Sequence, residues 1–139
     1  MKKLLAFLFL IGFSFHLPAQ DIRLKKGVAY LNDKEFLNYK IDVWGIYKAH
    51  FFDRETNDEI ILIIKNDNET PKYYTDDFTQ IKFIGMGVTV ETKENKSWKN
   101  FIKWLVQSKV IDEHGKINTE KLDLFIQNYD EHMTERTMR

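Results

Sequence analysis

From residue 27 to about residue 92 the chain alternates short apolar runs with polar breaks. Val, Ile, Phe, Tyr and Thr concentrate in 28–31, 36–41, 46–52, 60–65, 78–84 and 88–92, runs of strand length and composition. Asn32, Asp33 and Lys34 divide the first two runs and residues 53–58 divide the third from the fourth. Asn and Asp tolerate the left-handed backbone of tight turns, so these breaks predict hairpins and hence antiparallel neighbours. Residues 66–71 predict a longer polar loop, and Gly85, Met86 and Gly87 a tight turn or bulge.

The period then changes. Trp98, Phe101, Ile102, Leu105 and Val106 recur at spacings of three and four and predict an amphipathic helix over 97–108, with Asn95 or Ser97 as cap. Leu122, Phe125, Ile126 and Tyr129 repeat the pattern, predicting a second helix from about Thr119 capped by Asn118 or Thr119 itself. Strands first and helices last is the α+β order: an antiparallel meander of about five to six strands (27–92), two helices (97–129) laid on one face, and a polar tail (130–139).

The N-terminus is of another kind. Met1, Lys2 and Lys3 precede an almost unbroken apolar run over 4–15, closed by His16, Leu17, Pro18 and Ala19. A run of about 12 apolar residues falls short of the roughly 20 that cross a bilayer, and Pro18 breaks it. Residues 1–19 are therefore expected to be a cleaved signal peptide, with the mature chain starting at Gln20 or Asp21 and forming one domain over 20–139. The chain has no cysteine, which removes both a lipid-accepting residue and any disulfide. The expected address is periplasmic or secreted, soluble after cleavage and not a lipoprotein.

Charge narrows the partners. The 21 basic side chains lose two with Lys2 and Lys3, leaving 19 against 21 acidic ones. Lys25 with Lys26 is the longest basic run of the mature chain, so nothing recruits nucleic acid or an anionic membrane.

Chemistry is sparse. The stretch 110–121 resembles the second half of an EF-hand, with Asp112, His114, Gly115 and Ile117 at its third, fifth, sixth and eighth places. Val110 stands first, without a side-chain oxygen, and Lys121 puts an ammonium where the bidentate carboxylate belongs. The loop is expected to be a helix-to-helix connector that Gly115 turns, and no metal is assigned. Residues 53–59 also carry alternate oxygens but read as a charged hairpin tip; a weak calcium site there stays open. Ser97 and Ser108 lie near helix ends, where capping is the ordinary role. His50, His114 and His132 are scattered, and Asp76 with Asp77 reads as a solvated pair. No catalytic residue and no cofactor is assigned.

Aromatics are the remaining candidates for binding. Trp104 points about 120° from the middle of its helix's apolar stripe, and Tyr73 and Tyr74 precede Thr75, Asp76 and Asp77 in a loop or strand edge. Trp104 either lies over the sheet rim as a second contact layer or belongs to an exposed patch that holds a partner.

The run from Gly27 to Lys34, the hairpins, the stretch from Val110 to Asn118 and the closing Phe125, Ile126, Gln127, Asn128 and Tyr129 resemble small exported bacterial proteins of unassigned function. That resemblance implies a fold and a compartment and transfers no site. The expected function is a non-catalytic binding or structural module of the periplasm or cell envelope, engaging a protein, peptide or glycan. The alternative is a small hydrolase whose carboxylates or histidines are gathered by the fold.

Overall fold

A computed structural model describes residues 20–42, 47–66 and 77–137. The leader, Tyr73, Tyr74 and Asp76 lie outside the described residues, as does most of the polar loop expected over 66–71. The strands are β1 (Ile22–Lys25), β2 (Val28–Leu31), β3 (Lys34–Asp42), β4 (Tyr47–Phe52), β5 (Glu59–Asn66), β6 (Phe78–Phe83) and β7 (Val88–Thr92). They form one open sheet in sequence order, every neighbouring pair antiparallel. Three helices follow: α1 (Trp98–Gln107), α2 (Thr119–Tyr129) and a short α3 (Met133–Thr137).

The architecture is the expected α+β meander, with two corrections. Seven strands replace five to six: β1 begins the sheet because Lys26 and Gly27, both at positive φ, make a two-residue turn that folds Ile22–Lys25 back on β2. A lysine in the first left-handed position hides that turn in the sequence. Part of the polar tail is α3, which sits against β7 with Met133 buried.

Alternation assigns the faces. Ile22, Ala29, Leu37, Ala49, Phe51, Ile61, Ile63, Ile81, Phe83 and Val90 point inward and join Phe101, Ile102, Leu105, Val106, Leu122 and Phe125 of α1 and α2 in one core. Two bulges modify the pattern. Phe36 and Leu37 both stand opposite Ala29, so two consecutive apolar side chains are buried. Ile60 and Ile61 likewise face Phe51, which turns Glu59 onto the outer face opposite Phe52. Were the pairing regular instead, Glu59 would share the face of Ile61 and point into the core.

The helices end as the side chains require. Ser97 caps α1 by accepting from the Asn100 amide, and Asn118 caps α2 by accepting from the Lys121 amide. At the C-terminus of α1 the amides of Lys109 and Val110 donate to the carbonyls of Val106 and Leu105 at 3.0 and 2.9 Å, with Lys109 at φ 61° where glycine is commonest. The connector then folds on itself through an Ile111 to Ile117 bridge and an Asn118 to Val110 hydrogen bond. Gly115 approaches the β3 bulge so closely that a Cβ there would lie 2.3 Å from the Phe36 carbonyl oxygen.

Candidate functional site

Trp104 occupies the seam between α1 and α2. It is half-buried, and its ring meets those of Phe125 and Tyr129 edge-on, each at 4.8 Å between centroids. Lys96 holds its ammonium 5.2 Å from the centre of the indole, a cation–π geometry. The side chain thus leaves the α1 stripe only to pack on α2: Phe101 sits on the core side of it at 6.5 Å. Tyr129, expected to face the sheet, is instead 41% exposed, because Trp104 and Phe125 occupy the space beneath it.

Trp104 and Tyr129 also line an open cleft of about 500 Å³ between the β7–α1 loop and the end of α2, with Glu94, Asn95, Asn128 and Glu131. The loop approaches this position because β7 is anchored beside it: the Lys93 amide donates to Glu131 at 2.5 Å and the Glu131 amide to the Glu91 carbonyl at 2.8 Å. Lys93 and Lys96 complete the lining, and two aromatic rings amid amides and charges of both signs suit a ligand with both an apolar surface and hydroxyl or amide groups. A larger hollow of about 740 Å³ runs along the helix connector past Asp112 and Asn118, and no aromatic side chain lines it.

On the outer face the fold gathers a cluster around His50. His50 on β4 is bonded at both ring nitrogens: Nε2 to Asp42 on β3 at 2.9 Å and Nδ1 to Glu59 on β5 at 2.7 Å. Its side chain is 20% exposed, and the Phe52 ring stacks at 6.4 Å. Burial pushes the imidazole pKa down, but the two carboxylates outweigh it and raise the value above the ordinary 6.5. The Asp42 carboxyl is held below its usual range by the hydrogen bond from His50. In its protonated form the ring donates from both nitrogens and clasps three strands. The Ile60 bulge that delivers Glu59 is invisible in the residue pattern, so the sequence showed only a lone histidine.

The two acidic loops are occupied by their own chain. Asp112 Oδ1 accepts from the amides of His114 and Lys116 at 2.8 and 2.9 Å and shapes the connector. In the charged hairpin tip residues 54–58 are exposed, but Asp53 at its start is buried: it accepts from the Lys116 ammonium at 2.6 Å and from the Glu55 amide at 2.8 Å. The Lys116 hydrogen bond, joined by those from the Glu55 and Thr56 amides, holds the Asp53 carboxyl below its usual range. Lys116 therefore pins the connector to the β4–β5 hairpin. Ser108 closes α1, and His114 and His132 are exposed, each beside an acidic side chain. Among the described residues no three histidines, aspartates or glutamates gather as a metal site would require, and no helix is long and apolar enough to cross a membrane.

Comparison with family models, with curated proteins and with solved structures finds no match for this chain.

Proposed function

We propose that this chain is an exported, non-catalytic binding module of the periplasm or cell envelope, and that it holds its ligand in the cleft of Trp104 and Tyr129. One observation carries the reading: two aromatic side chains, one of them 41% exposed, share an open cleft with the amides of Asn95 and Asn128. Trp104 and Phe125 cover only one side of the tyrosine, and its free side offers an apolar surface beside polar groups, as ligand sites do. The leader pattern of residues 1–19 supports the compartment.

The test is a capture from the cell envelope with the tagged mature protein, run beside Tyr129→Ala and Asn128→Ala. Both positions are exposed, so both variants should fold. A species held by the wild type and lost from both variants supports the reading; one retained equally by all three overturns it.

A second reading, a small hydrolase, is favoured by the gathering of His50 with Asp42 and Glu59. A histidine oriented by one carboxylate, with its other nitrogen free, can serve as a general base. Here Glu59 would have to release Nδ1, or Asp42 Nε2, before the ring accepted a substrate proton. Hydrolysis of ester or glycoside probes that His50→Asn abolishes, with the captured species still bound, would select this reading over the first.

A further inference from the structure

The two edges of the sheet are finished differently. At β7 the chain covers its own edge: the Glu91 amide donates to the Asp130 carboxylate, the Glu91 carbonyl accepts from the Glu131 amide, and the Lys93 amide donates to the Glu131 carboxylate. At β1 the ladder with β2 uses the backbone of Arg23 and Lys25, which lead into the two-residue turn, and continues through the Asn32 amide to the Asp21 carbonyl. The backbone groups of Ile22 and Leu24 then face outward, and among the described residues none of them enters a hydrogen bond beyond the sheet. Such an edge accepts another strand.

A cleft of about 500 Å³ runs along it, lined by Arg23, Leu24, Lys25, Tyr30, Asp33 and Lys99. Three consecutive strand residues alternate between faces, so they line one cavity only where it follows the strand's margin. The charges on it are uneven. Arg23 is paired with Asp33, whereas neither Lys25 nor Lys99 has an ion pair among the described residues. α1, which carries Lys99, packs against β1 and provides the far wall.

We infer that the free edge of β1 docks an extended acidic peptide segment of a partner protein, which adds to the sheet as an eighth strand. Backbone hydrogen bonds to Ile22 and Leu24 supply the pairing. Acidic side chains on the incoming strand meet Lys25 and Lys99, and an apolar side chain between them lies beside Leu24. The cleft along this edge shares no lining residue with the one proposed above, and the inference does not depend on that reading.

The experiment titrates the full mature chain with a short, end-blocked peptide alternating Glu and Val, followed by calorimetry. Saturable binding is expected, weakening with salt. The double variant Lys25→Glu with Lys99→Glu, both exposed positions, should bind about tenfold or more weakly at unchanged melting temperature. A peptide of the same sequence with alternate amides methylated should not bind, because it cannot extend the ladder. No binding, binding indifferent to the charge reversals, or equal binding of the methylated peptide overturns the proposal, the last because it would mean charge attraction without strand addition. Capture of a second copy of the chain instead, seen as a concentration-dependent dimer that the acidic peptide does not displace, overturns it too.

Discussion

On β4, Ala49 and Phe51 point toward the helices and are fully buried, while His50, between them, points the other way into a cluster of charge. The two faces of the sheet are made of alternate residues of the same strands, yet different interactions hold them. The inner face is a problem of area and shape: apolar side chains from every strand and from α1 and α2 fill one continuous core. The outer face is a problem of partners. There Asp42, His50 and Glu59 form one network, and Glu91, 8% exposed, is satisfied by Gln80 and by Thr134 of α3. Burial pushes the Glu91 carboxyl up, but the hydrogen bonds from Thr134 and Gln80 prevail and hold it below its usual value. A face of the first kind tolerates imprecise geometry at moderate cost, and one of the second kind depends on a few distances.

The comparison breaks first if the inner face is not the main source of stability. Truncating Phe101 or Phe125 to Ala should cost about 3 to 5 kcal/mol, since transfer energy and a cavity term are lost together. Both rings are nearly or completely buried. A denaturant titration that finds less than the effect of a surface substitution would place the helices off the sheet.

Gly115→Ala tests the same face through the backbone. The new methyl would meet the Phe36 carbonyl at 2.3 Å and the Leu37 side chain at 2.8 Å, at a φ of 74°. Strain and displacement together should cost about 2 to 4 kcal/mol. Stability within error of the wild type would mean that the connector does not dock on the β3 bulge.

Most of the inner face was legible because it follows period: strands at two, helices at three and four, caps at Ser97 and Asn118. What escaped was set by single insertions and by contacts between distant residues. The Ile60 bulge decides which face Glu59 joins, and no local pattern announces it. Asp53 meets Lys116 across 63 positions of sequence, so the first residue of a loop that reads as a charged tip is a buried anchor, while residues 54–58 stay exposed. β1 was missed for a third reason: four residues of alternating apolar and basic character, beside a lysine-led turn, carry too weak a signal. The aromatic candidate was found for an incomplete reason. Trp104 does leave its own helix's stripe, but periodicity on one helix cannot show that a second helix receives it.

Trp104 therefore sharpens the comparison, lying at the border of the two regimes. Half-buried and edge-on to two rings at 4.8 Å, it should lose about 2 kcal/mol on change to Ala, more than an exposed residue and less than Phe101. Equality with Phe101→Ala in the same titration would move it into the core and remove it as a ligand surface.

The smallest expected effect is the most specific to the outer face. Stability contributed by His50 follows its raised pKa. It is fully present below the unfolded value near 6.5 and is lost as pH rises through the higher folded value. The Asp42 contribution runs the other way: its lowered pKa makes it present above the ordinary 3.8 and lost as pH falls through the folded value. The clasp is therefore strongest between those limits, near pH 5. His50→Gln keeps a polar side chain but cannot be charged, so its deficit against the wild type should be greatest there and shrink toward pH 9. Exposure of the three side chains to solvent keeps that maximum small. Melting curves of both proteins across that range decide it. A deficit independent of pH would mean that His50 contributes by packing against Phe52, and that the outer face is held by area after all.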